Sequence, residues 1–168
     1  RRSLRSRALG SANSASRLTI LENDFAMAKR YRLRIPRGIY EKMLLQARAE
    51  LPNECCGMLA GVISDEGIGL VSHHFPLVND LASPVFYQSF PFAAHKAIRS
   101  ENIDPLAIYH SHPTSAPVPS RTDCARNHYG AEIIHLIISL QDARPQMRAW
   151  RLSESSFEEA EWECWEES

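Results

Sequence analysis

Pro105-Leu106-Ala107-Ile108-Tyr109-His110-Ser111-His112-Pro113 decides the reading of this chain. The run is short, apolar and bounded by prolines, which predicts a buried strand. Pro113 ends the ladder because it has no N–H to donate. On a strand, residues i and i+2 share a face and stand about 6.5–7 Å apart. His110 and His112 therefore point the same way, close enough for both imidazoles to lean onto one ion. Ser111 points to the opposite face.

The next segment offers a third ligand. Thr114-Ser115-Ala116-Pro117-Val118-Pro119 is a proline-stiffened loop. Ser120-Arg121-Thr122-Asp123 then reads as the first turn of a helix with Ser120 as N-cap. Asp123 can swing back from that turn toward the histidines. Taken separately, the parts have ordinary explanations: most His-x-His pairs carry no metal, and Ser-x-x-Asp is also a capping box. Together they favour a metal site. A catalytic zinc ion takes three protein ligands and leaves its fourth position to water.

Working outward, Tyr31 to Ile35 alternates as a strand. Pro36 opens a helix over Arg37 to Glu50, with Ile39, Met43, Leu44 and Ala47 at helical spacing. Cys56 to Ile63 and Ile68 to Leu77 form a hairpin across the turn Ser64-Asp65-Glu66-Gly67. Val85 to Phe90 is a shorter extended piece, and Phe92 to about Asn102 a second helix. A third helix is predicted from Ser120 to Tyr129, stopped by Gly130. Ile133 to Leu140 is apolar enough to be buried on both faces, and Gln146 to Leu152 alternates. Phe157 to Trp165 alternates Ala160, Trp162 and Cys164 with glutamates, as a half-buried edge strand does; a helix is the other reading. Strands and helices intermix without a strict βαβ repeat. The expected class is α/β of the α+β type, a mixed sheet flanked by helices.

The 168 residues suit one domain with a sizeable core. A net charge of −1 leaves no footprint for nucleic acid. No apolar run approaches the roughly 20 residues a bilayer span needs. Arginines crowd the start and glutamates the end, which reads as a solvated surface. Cys55, Cys56, Cys124 and Cys164 form no C-x-x-C pair, so they are expected as small buried hydrophobes in a reducing cytoplasm. Residues 1–28 are rich in Arg, Ser and Ala and are expected to form a disordered tail, with Met27 a plausible natural start and 29–168 the folded domain. The histidines at 73, 74, 95, 128 and 135 are expected to be satisfied surface or core residues.

His110-Ser111-His112-Pro113 with Ser120-Arg121-Thr122-Asp123 resembles the signature of the JAMM (MPN-plus) zinc metalloproteases. Pro52-Asn53-Glu54-Cys55-Cys56-Gly57 resembles the glutamate-bearing segment of that family's compact prokaryotic branch. The resemblance runs from about Tyr31 to about Leu152. It implies a curved, mostly antiparallel sheet between helices, of the JAMM/cytidine-deaminase-like kind. It implies one Zn2+ held by His110, His112 and Asp123, a zinc-bound water as nucleophile, Glu54 as general base, and Ser120 as a donor to the oxyanion. It further implies a substrate bond following the C-terminal Gly-Gly of a ubiquitin-like sulfur carrier. Nucleic acid and membrane are not expected partners, and a homodimer is left open.

Three rivals stand beside this. A cysteine hydrolase would use Cys55 or Cys56 with a histidine base, and would leave Asp123 unexplained. A non-catalytic scaffold of the MPN type would have lost ligand residues. A zinc amidase acting on a small amino-acid conjugate would share every motif.

Overall fold

The computed structural model describes residues 30–84 and 91–166. The expected tail, Met27 and the extended piece Val85 to Phe90 lie outside the described residues. The elements are β1 (Arg32–Pro36), α1 (Arg37–Ala49), β2 (Cys56–Ile63), β3 (Ile68–Leu77), α2 (Phe92–Glu101), β4 (Asp104–His112), α3 (Arg121–Ala125), β5 (Ile134–Ser139), β6 (Gln146–Leu152), β7 (Phe157–Ala160) and β8 (Trp162–Trp165). All eight strands join one sheet in the order β7-β6-β5-β4-β2-β3-β1-β8. The β2–β3, β2–β4, β5–β6 and β6–β7 pairs are antiparallel, while β1–β3, β1–β8 and β4–β5 are parallel. The sheet is mixed, as the sequence pattern predicts, and its antiparallel majority is what the family resemblance implies.

Period-two alternation divides the strands into two faces. Leu33, Ile35, Leu59, Ala107, Tyr109, Ile134, Leu136 and Ile138 form the inner core, against which α1 lays Met43 and Ala47. Pro36 ends β1 and stands at the N-cap of α1, which begins at Arg37 as expected. Gly57 has a specific reason to be glycine. A Cβ there would run into the Tyr109 ring. The ring lies over the bare backbone, and its hydroxyl donates to Gln46 Oε1 of α1 and accepts from His74 Nε2 at 2.7 Å. The opposite face of the sheet carries Met58, Ala60 and Ile108 under α2, then Ile137, Trp150 and Leu152 beside α3. His110 and His112 belong to this face, because they share the parity of Ile108.

The C-terminal stretch departs from the expected edge strand in an instructive way. It makes two strands separated by Glu161. β7 pairs with β6 at one end of the sheet and β8 pairs with β1 at the other. One extended segment therefore ties the two ends of a curved sheet together through a one-residue corner, where Glu161 O accepts the Leu33 N–H at 2.9 Å. Among the described residues, several arginines pair with the C-terminal glutamates. Arg34 sits opposite Glu163 in register and bonds it at 2.7 Å. Arg30 pairs with Glu158, Arg37 with Glu166, and Arg148 with Glu159. Exposed pairs are individually weak, and these lie on a solvated surface, as expected. Among the described residues no helix is long and apolar enough to cross a membrane.

Candidate metal centre

β4 delivers its two histidines as the strand period requires. His110 is fully buried and His112 nearly so. Their Nε2 atoms face each other at 3.1 Å. His112 donates from Nδ1 to Ala116 O at 2.8 Å, which leaves the lone pair on Nε2. Asp123 reaches back from α3: Oδ1 lies 3.5 Å from His110 Nε2 and Oδ2 lies 3.8 Å from His112 Nε2. Ligand atoms of all three residues fall within 4.8 Å of one another. Bonds of about 2.0–2.2 Å in a tetrahedron put ligand atoms about 3.3–3.6 Å apart. The three separations bracket that range, and two ring nitrogens facing at such a distance need a proton or a cation between them. The residues present fit a metal ion.

Their protonation also suits one. Burial pushes His110 down to about 4, with Asp123 opposing and His112 adding to the shift. Burial works to raise the Asp123 carboxyl, but His110, the hydrogen bonds from Ser120 and then His112 outweigh it and hold the group below its ordinary value. Neutral imidazole and ionised carboxylate are the forms a cation binds.

The capping-box and metal readings of Ser120 and Asp123 are both met. Ser120 Oγ accepts the Asp123 N–H at 3.1 Å, and Asp123 Oδ2 accepts the Ser120 N–H at 2.6 Å. The cap fixes the carboxylate while its other oxygen faces His110. Ser120 is exposed beside it, and its hydroxyl and N–H both help to hold the Asp123 carboxylate ionised. The helix is shorter than expected, ending at Ala125 instead of Tyr129. Asn127 interrupts it by taking the Tyr129 N–H on its side-chain oxygen at 3.0 Å.

Glu54 reaches the site through long-range register. Cys56 pairs with His110 across the antiparallel β2–β4 ladder. Ser111 N–H donates to Cys55 O at 3.1 Å and Ser111 Oγ accepts the Cys55 N–H at 2.8 Å. Continuing that register by one residue puts Glu54 opposite His112, on the same face. Its N–H donates to Ser83 O at 2.8 Å, and its carbonyl accepts from Asn79 Nδ2 at 3.0 Å. The residue is 5% exposed. Burial, then the charge on Asp123, pushes its carboxyl up to about 8. A cation held by the neighbouring ligands would offset that push, leaving a base near neutrality.

Residues 36–153 match the family model for prokaryotic homologs of the JAB domain. This chain belongs to the prokaryotic JAB family. The Mycobacterium tuberculosis CysO-cysteine peptidase is 32% identical over 133 residues, covering 77% of this chain and 88% of that protein. A Haloferax volcanii desampylase is 37% identical over 108 residues, 62% of this chain and 74% of that one. The solution structure of DSY2949 from Desulfitobacterium hafniense matches with a TM-score of 0.71 at 30% identity, covering 80% of this chain and 94% of that one.

Within this JAB domain the cysteines are poorly suited to nucleophilic work. Burial, above all, pushes Cys55 and Cys56 each up to about 12, so both stay thiols. Cys55 packs in the inner core, away from the histidine face. His74 is engaged by Tyr109 on the inner face, and His73 pairs with Glu101 at 2.7 Å. His128 lies beyond the end of α3 and not on a helix. Sequence reading missed Asn79 and the grip of Ser111 on Cys55. Only the placement of Ser111 between two candidate ligands hinted at its part. It also dismissed His135, which is buried beside the metal strand.

Proposed function

We propose that this chain is a zinc peptidase that removes residues or an amino-acid adduct following the C-terminal Gly-Gly of a ubiquitin-like sulfur carrier. His110, His112 and Asp123 hold one zinc ion, Glu54 is the general base and Ser120 the oxyanion donor. The observation carrying this reading is the convergence of the three ligands beside the buried Glu54. The relatives named as a CysO-cysteine peptidase and a desampylase support the substrate class.

Zinc at this position supplies Lewis acidity and lowers the pKa of water toward neutrality. The protein's own groups do the rest. Glu54 takes the proton of the attacking water on its carboxylate and later hands it to the departing amine. Ser120 Oγ–H donates to the carbonyl oxygen as that oxygen turns negative. Asp123, fixed by the cap, keeps His110 and His112 facing one point. An extended Gly-Gly tail has no side chains to obstruct its approach to a confined centre.

The test is to mix the zinc-loaded protein with a ubiquitin-like carrier extended by one amino acid past its Gly-Gly and to weigh the products. Loss of that amino acid alone is the expected result. An intact carrier, alongside cleavage of a small glycyl conjugate, would replace this reading with that of an amidase.

Ser111 and Asn79 act through Glu54. Ser111→Ala is expected to lower kcat about 10–100-fold, because small misplacements of a base are costly. KM and zinc content should change little, and Ser111→Thr should restore turnover. Removing the partner of a buried N–H also costs about 1–3 kcal/mol of stability. Steady-state kinetics beside a zinc assay decide this, and an unchanged kcat would release Ser111 from the role.

A further inference from the structure

His135 stands on β5 in register with Ile108, two residues before the partner of His110, on the face that carries the candidate ligands. It is 2% exposed. Its tautomer follows from its neighbours. Asn127 is pinned by three backbone groups: Nδ2 donates to Gly130 O at 3.0 Å and to Leu152 O at 2.9 Å, while Oδ1 accepts the Tyr129 N–H at 3.0 Å. The amide cannot be turned round without losing all three bonds. His135 Nε2 lies 3.2 Å from that same Oδ1, an acceptor, so Nε2 must carry the proton. A neutral imidazole protonated on Nε2 has a lone pair on Nδ1. That Nδ1 is buried and has no hydrogen-bond partner among the described residues.

A buried acceptor calls for a donor. His110 is close enough for its charge to act on the His135 ring. If His110 ligates through the Nε2 that faces His112 and Asp123, its remaining proton sits on Nδ1, and that N–H is a donor. Ligating histidines characteristically give their second N–H to an acceptor that fixes ring orientation. We propose that His135 Nδ1 is this acceptor through one buried water, making His135 a positioning residue in a chain running Asn127–His135–water–His110–metal. The inference rests on the reading of His110 as a ligand. It explains why an imidazole with one committed nitrogen is buried on this face, where an aliphatic side chain would pack at no polar cost.

The experiment compares wild type, His135→Phe and His135→Asn. Phenylalanine keeps a ring but removes the acceptor, whereas asparagine can put an oxygen near the position of Nδ1. Zinc affinity, measured by competition with a chromophoric chelator, should fall about 10–100-fold in His135→Phe. It should stay within about threefold of wild type in His135→Asn, on the same reasoning that the acceptor is what matters. Nitrogen-15 NMR of metal-free wild type should show His135 protonated on Nε2. A merely structural role would weaken both variants alike, or shift metal-free melting while leaving zinc affinity unchanged. Wild-type affinity in a folded His135→Phe, or a proton on His135 Nδ1, overturns the proposal. The NMR result decides it should that variant fail to fold. Wild type that takes up no zinc would instead overturn the ligand reading beneath it.

Discussion

Glu54→Gln is expected to retain one zinc per chain and to lose turnover by about 10²–10⁴-fold, the range a positioned general base contributes. The two carboxylate roles separate cleanly in this variant. A ligand change would cost metal, whereas a base change costs only rate, so zinc content read beside kcat assigns the role. Equal loss of both would make Glu54 a ligand. The same substitution has an opposite effect on stability. The Glu54 carboxyl is pushed up from 4.5 to about 8 in the folded chain. Below pH 4.5 it is protonated folded or unfolded, and burial carries no charge penalty. Between 4.5 and 8 the unfolded chain gives up the proton that the folded chain keeps, so stability falls as pH rises through that window. Metal-free Glu54→Gln should therefore match wild type near pH 4.5 and exceed it at pH 8.5. Urea midpoints of the metal-free proteins at the two pH values check the sign.

Asp123→Ala should show the second large effect, because two jobs end at once. Loss of a ligand should weaken zinc binding by more than the about 10–100-fold that outer partners contribute, and peptidase activity should go with it. The Ser120 N–H also loses its acceptor, at about 1 kcal/mol for a helix cap. Asp123→Asn divides the losses, since an amide oxygen can still accept from Ser120 but brings no charge to the metal. Metal-free Asp123→Asn should melt nearer to wild type than metal-free Asp123→Ala does, while both bind zinc poorly. Full zinc affinity in Asp123→Ala would remove this residue from the ligand set.

The site was legible in the sequence where chemistry follows local period. Two residues apart on a strand puts His110 and His112 on one face, and Ser-x-x-Asp at a helix start puts Asp123 within reach. What failed to show was non-local. Nothing around Glu54 announces that β2 and β4 run antiparallel in the register that sets it opposite His112. Asn79 lies in an unremarkable loop, and its bond to the Glu54 carbonyl exists only once the chain has folded. His135 reads as one more apolar-strand histidine until Asn127 fixes its tautomer. The expected third helix runs too far because Gly130 reads as its stop, whereas the Asn127 side chain captures the backbone earlier. Alternation in Phe157–Trp165 correctly indicated extended chain, but alternation cannot say which neighbours a strand will bond.

That last segment has a consequence for how the domain holds and loses its shape. Its two halves are the outermost members of the sheet, and the single residue Glu161 between them makes them inseparable. Fraying from either rim must drag the other with it, which couples the opening of both flanks into one event. A stray polypeptide seeking a strand to join finds at each rim only four residues, interleaved with glutamate. The clasp thus guards against self-association at the margins.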